Sequence, residues 1–255
     1  MSGAVYTPGE RDRLRTDLVA RARADPRISG VALTGSASVG REDRWSDIDL
    51  AFGVADPTEI PGTLADWTAA MYERHGAIHH VDEIAGTWTY RVFLLRNTLQ
   101  VDLAFAPAND FRAKAPTFRL LSGTSAEPRH RSPPAAEELV GLAWLYALHA
   151  RSSIARGKPW QAEFMISAVR DYGLALAALR QGLPTAYARG SDQLPDEVRR
   201  AFEGAIVRGL AEDELRRALR IAMDALMHEI GLVDPDLRAR LQPTLDELAS
   251  TPDPA

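Results

Sequence analysis

Asp47 and Asp49 stand one residue apart in an Asp-Ile-Asp sequence, at the head of an apolar run that continues through Leu50, Phe52 and Val54. Residues two apart in a strand share a face, so the two carboxylates project together while Ile48 turns into the core. Carboxylates held this close repel each other, and a hard divalent cation that also takes phosphate oxygen relieves the repulsion. Upstream, the short apolar run Ile28 to Thr34 delivers Gly35 and Ser36, and ten residues then intervene before Asp47. Glycine lets backbone approach a phosphate closely, while the Ser36 hydroxyl and neighbouring amides can donate to its oxygens, with Ser38 as a second hydroxyl. A short helix from Ser36 to Gly40 would add the partial positive charge of its exposed amides. No Walker-type run of glycine, lysine and serine occurs, which excludes an ordinary P-loop NTPase.

Asp102 supplies a third acid. It lies inside the apolar run Leu99 to Phe105, flanked by Val101 and Leu103, where a carboxylate needs a strand end or a charged partner. A metal shared with Asp47 and Asp49 would be that partner. Three such acids could hold two divalent ions, one neutralising a triphosphate and its leaving pyrophosphate, the other lowering the pKa of an attacking hydroxyl. That chemistry is in-line nucleotidyl transfer, with Mg2+ as the expected metal, Mn2+ as the alternative, and a nucleoside triphosphate (NTP) as co-substrate.

These residues need a sheet to position them. Apolar periodicity predicts a helix from Thr7 to Ala24, strands over Ile28 to Thr34 and Asp47 to Val54, a helix from Thr63 to Arg74, and strands over Ala77 to Ile84, Thr87 to Leu95 and Leu99 to Phe105. From residue 122 to 136 the composition turns to Gly, Ser, Pro, Arg and His without periodicity, which reads as a linker or exposed loop. Helical patterns follow over Glu137 to Arg156, Gln161 to Gln181, Asp196 to Arg208 and Glu212 to Ile230. The expected architecture is α+β: a mixed sheet with helices over residues 1–121, a helical bundle over 137–250, and a frayed tail over 251–255. Adjacent His79 and His80 face opposite sides of their strand and read as structural. Trp67, Trp88, Trp144 and Trp160 read as core or interface residues, with Trp88 and Trp160 placed to line a cleft.

Composition narrows the function classes. The 255 residues are 45% hydrophobic and 25% charged, a globular balance that excludes a disordered chain. The formal charge of −5 argues against a nucleic-acid-coating surface. There is no cysteine, so thiolate nucleophiles, disulfides and cysteine-ligated metals are excluded. No apolar run reaches the roughly 18 residues of a membrane span or forms a signal-peptide core, which makes a soluble, cytoplasmic protein the expectation.

The segment TGSASVGREDRWSDIDL, Thr34 to Leu50, resembles the motif of the nucleotidyltransferase superfamily typified by DNA polymerase beta, and VDLAF matches its third carboxylate at Asp102. The resemblance spans residues 28 to 106. A transferase domain followed by a helical bundle is similar to the antibiotic nucleotidyltransferases, which move AMP from ATP onto aminoglycosides or lincosamides. The resemblance implies a general base from the helical half, for which Glu163, near Trp160 and Phe164 at the entry to a helix, is the candidate. Burial against those two rings would raise its pKa toward a useful value. Arg170, two helical turns later on about the same face, is a candidate for meeting a phosphate. The site is expected between the two halves, with a small hydroxyl-bearing acceptor whose positive charge suits the acids. Two other readings use the same residues: a nucleotidyltransferase of the toxin and antitoxin type that modifies a protein hydroxyl, and a nucleotide-binding regulatory module without turnover. Acceptor, preferred nucleotide and oligomeric state are not encoded in these motifs.

Overall fold

The computed structural model describes residues 5–130 and 132–250. The chain divides into two compact units, Met1–Arg131 and Ser132–Ala255.

The first unit is built on a mixed six-stranded sheet. Its strands are β1 (Ile28–Thr34), β2 (Ile48–Val54), β3 (Ala77–Ala85), β4 (Trp88–Leu95), β5 (Gln100–Pro107) and β6 (Phe118–Gly123), in the spatial order β3-β4-β5-β2-β1-β6. β2 and β5 pair in parallel at the centre, and the other pairs are antiparallel. Every β2 residue except Asp49 is buried, as a central strand covered on both faces requires. One face, carrying Ile48, Leu50, Phe52, Leu103 and Phe105, packs with Leu18 and Ala22 of α1 (Pro8–Ala24) and with Trp67 and Met71 of α3 (Ile60–Arg74). Because Ile48 and Leu50 point into this core, Asp49 is left on the opposite face.

α1 also fixes the spacer between Gly35 and Asp47. Thr7 caps the helix through a reciprocal box with Glu10. Buried Arg11 then donates from Nη1 to the Asp43 carbonyl at 2.7 Å, Arg15 pairs with Glu42, and the Tyr6 hydroxyl donates to the Ser46 carbonyl at 3.1 Å. The aperiodic run before the acids is therefore tied to a helix from several points along its length.

Strand β6 was not expected from the sequence. Its alternation is weak because it lies at the sheet edge, with Arg119 and Leu120 exposed. It also takes over the first residues of the stretch read as a linker from 122. Gly123 pairs with Gly30, the Thr124 amide donates to the Ser29 carbonyl, and the Ala126 amide donates to the Phe111 carbonyl. The expected tail over 251–255 lies outside the described residues.

The second unit is helical: α4 (Ala136–Ala155), α5 (Pro159–Arg180), α6 (Asp196–Glu203), α7 (Glu212–Val233) and α8 (Pro235–Ser250). Its core runs through Ala143, Ala147, Ile166, Val169, Leu219 and Leu226. α6 stops at Glu203, short of the expected Arg208, because Gly204 ends it and Arg217 donates to the freed carbonyls of Gly204 and Ile206 at 2.6 and 2.9 Å. α8 was missed as a separate helix because Pro243 interrupts its pattern. Its opening turn is capped where the Leu237 amide donates to Asp234, and Leu245 and Leu248 are buried in the core.

Candidate active site

On the sheet face opposite the main helix-covered core, Asp49 of β2 and Asp102 of β5 are directly paired residues of the parallel ladder. Asp47 immediately precedes β2. One carboxylate oxygen from each of Asp47, Asp49 and Asp102 can be chosen so that all lie within 4.8 Å of one another, and all three residues are half-buried. The Gln100 amide, two residues before Asp102 and on the same face, donates from Nε2 to Asp102 at 3.0 Å and to Asp47 at 3.3 Å. An all-oxygen set of three clustered carboxylates is the donor chemistry of Mg2+ or Mn2+.

The cluster is electrostatically costly without a cation. Burial pushes the Asp102 carboxyl up to about 6; the Gln100 hydrogen bond opposes the rise, and the charges of Asp47 and Glu83 add to it. Its ordinary value, near that of the unfolded chain, is lower, so the metal-free folded protein holds a proton that the unfolded chain releases between about pH 4 and pH 6. Stability from this group is therefore greatest at low pH and is lost as pH rises through 6. Asp102→Asn should stabilise the metal-free protein at pH 7.5 by about 1–3 kcal/mol and flatten its stability between pH 4 and 6. Urea midpoints across that range check this; an unchanged or lower midpoint at pH 7.5 contradicts it.

Gly35 joins the acids to the turn. It has φ +59, in the left-handed region, and a Cβ built on it would lie 1.9 Å from Asp49 Oδ2. Only glycine lets the chain turn here while the Asp49 carboxylate rests against its backbone. Gly35 opens the single helical turn α2 (Gly35–Ser38), so the short helix anticipated at Ser36 is present and smaller than expected. The Ser38 hydroxyl donates to the Gly35 carbonyl at 2.7 Å, which closes the turn and engages the donor that the sequence reading assigned to phosphate. Ser36 is half-buried, and its carbonyl accepts the amides of Val39 and Arg41.

The structure brings Gly35, Asp47, Asp49 and Asp102 together in the first unit. Glu163 and Arg170 stand on α5 of the second. Glu163 Oε1 accepts the Ser167 hydroxyl at 2.8 Å, and Arg170 forms an ion pair with adjacent Asp171 at 2.8 Å. Trp160 is 74% exposed and Phe164 61%, so neither ring walls Glu163 in as the sequence reading expected. The helix turns them toward solvent. Of the other tryptophans, Trp67 and Trp88 are core residues, and Trp144 is substantially exposed. Sequence reasoning missed Gln100 and Glu83. The spacing of Gln100 from Asp102 was the available signal for the first; Glu83 gives no local one, because it comes from β3.

No family model matches the chain, and no curated protein matches it. Among solved structures, the chain is similar to the crystal structure of an aminoglycoside 6-adenyltransferase from Bacillus subtilis. The identity is 15%, with 95% of this chain and 99% of that chain covered and a TM-score of 0.41. Among the described residues, no helix is long and apolar enough to cross a membrane.

Proposed function

We propose that this protein transfers a nucleoside monophosphate from a nucleoside triphosphate, with ATP the first candidate, to a hydroxyl of a small molecule, releasing pyrophosphate. The observation that carries the reading is the Asp47, Asp49 and Asp102 cluster packed against the Gly35 turn. Those three carboxylates would hold divalent metal, Mg2+ or Mn2+, which when bound supplies charge neutralisation for the triphosphate and acidifies a hydroxyl.

The chain's own residues do the rest. The Gly35–Ser36 turn offers backbone amides and the Ser36 hydroxyl to phosphate oxygens, and Ser38 acts by holding that turn closed. Gln100 orients Asp47 and Asp102. The acceptor oxygen attacks the α-phosphorus, the bond to the bridging oxygen breaks, and pyrophosphate departs with its electron pair. Glu163 is the proposed recipient of the hydroxyl proton, with Ser167 holding one of its oxygens. Arg170 is the proposed phosphate contact of the helical unit, for which it would have to leave Asp171. A net charge of −5, with three clustered aspartates at the site, favours a cationic acceptor of the aminoglycoside kind over a nucleic acid.

A pyrophosphate-release screen with four NTPs, Mg2+ or Mn2+, and panels of aminoglycosides and lincosamides tests the proposal. Acceptor-dependent release with a nucleotide mass added to the acceptor is expected. Absence of release across the panel, with NTP bound, overturns it in favour of a non-catalytic nucleotide-binding module; a nucleotide adduct on a protein instead moves the acceptor to the protein-modifying class.

A further inference from the structure

The sheet face that carries the carboxylates continues into a cavity that the proposed chemistry leaves unused. Two residues beyond Asp49 and Asp102 on the same strands come Ala51 and Ala104, themselves directly paired. Ala32 of β1 pairs with Ala51, so a row of three buried alanines crosses the central strands as a flat floor. Tyr90 of β4 pairs with Ala104 on one side, and Phe118 of β6 pairs with Thr34 on the other. Ala51, Ala104, Tyr90, Thr34 and Phe118, with Trp88, line a cavity of about 160 Å³. Thr34, which directly precedes Gly35, connects it to the phosphate turn.

The aromatic side of the cavity is held by packing within the unit. Trp88 stacks on Tyr90 and on Phe111, with centroids 5.7 and 6.1 Å apart, and its Nε1 donates to Asp110 at 3.0 Å. Phe111 is seated over Gly53, where a Cβ would come within 2.9 Å of the ring. The loop between β5 and β6 is thereby anchored, and it brings Arg112 and Lys114 to the cavity, the Lys114 ammonium lying 4.1 Å from the centre of the Trp88 ring.

We infer that this cavity receives the heteroaromatic base of the nucleoside triphosphate. The inference rests on the nucleotidyl-transfer reading and extends it. A step of two residues along a strand covers about 7 Å, the kind of distance a sugar bridges between an α-phosphate at the acids and its base. A small-residue floor between aromatic flanks accepts a planar ring by stacking. Arg112, which pairs with Asp110 at 3.2 Å, and Lys114 carry only donors, the kind that match the ring nitrogens and carbonyl oxygens of a base.

Calorimetric titration in Mg2+ of the wild-type chain, Ala104→Leu and Tyr90→Ala, with the four NTPs and with inorganic tripolyphosphate, tests the inference. Ala104→Leu fills the floor and Tyr90→Ala removes a flank. Both should weaken binding of the best NTP about tenfold or more while leaving tripolyphosphate, which has no base, unchanged. Circular dichroism identifies any variant that fails to fold; Tyr90 is half-buried, so its variant carries the test if Ala104→Leu does not fold. Unchanged NTP affinity in the folded variants overturns the base cavity alone, and so does an equal loss of tripolyphosphate. A wild-type chain that binds neither ligand overturns the nucleotidyl-transfer reading and the cavity with it.

Discussion

Asp49→Asn should lower nucleotidyl transfer about a thousandfold or more while leaving the fold intact. Asparagine keeps the volume and shape of aspartate, so the close packing of residue 49 against Gly35 survives the change. What is lost is a formal charge at the centre of the cluster, directly paired with Asp102 across the parallel ladder. A thousandfold corresponds to about 4 kcal/mol of transition-state stabilisation, within the range one charge deep in a metal and phosphate site supplies. The variant has a second signature. Removing one of three mutually repelling carboxylates should leave the metal-free protein at least as stable as the wild type, while added Mg2+ should no longer raise its melting temperature. Pyrophosphate release and thermal melts with and without Mg2+ read both effects. Retention of more than a tenth of wild-type turnover would place the chemistry elsewhere.

The strands that carry the acids were legible because they are central. β2 and β5 are buried on both faces, so their residues form nearly continuous apolar runs in which Asp49 and Asp102 stand out. The pairing of those two acids was not legible, because register across a parallel pair is set by a long connection and not by a local turn. β6 and α8 were lost for different reasons: an edge strand has little apolar alternation, and Pro243 breaks the helical period of α8. The surroundings of Glu163 were not legible either. Its neighbours Trp160 and Phe164 suggested an apolar pocket, yet aromatic composition around a helical residue does not say which way the rings turn, and both are exposed. The alanine floor was invisible for a related reason: its meaning lies in which residues stand beside one another across the sheet.

Gly35→Ala should cost about a hundredfold or more in transfer, although the residue carries no side chain and no charge. The added Cβ would fall 1.9 Å from Asp49 Oδ2 and 2.7 Å from its Cγ, closer than any real contact. Either the Asp49 side chain swings away or the turn opens. In the first case the three carboxylates no longer converge; in the second, the amides following Gly35 leave the position proposed for phosphate. Alanine also takes on the left-handed conformation at φ +59, a strain of roughly 1–2 kcal/mol that a urea midpoint would register. Ser36→Ala is the contrasting variant. It removes one hydroxyl without moving Asp49 and should cost about ten- to a hundredfold, the roughly 1.5–3 kcal/mol of a single hydrogen bond to a charged group. Comparing turnover and Mg2+ affinity in the two variants separates geometry from donation: Gly35→Ala should weaken Mg2+ binding, and Ser36→Ala should not. If Gly35→Ala kept full turnover with the same Mg2+ affinity, the packing of the turn on Asp49 would be a matter of fold alone, and the phosphate cradle would have to be sought at another part of the sheet.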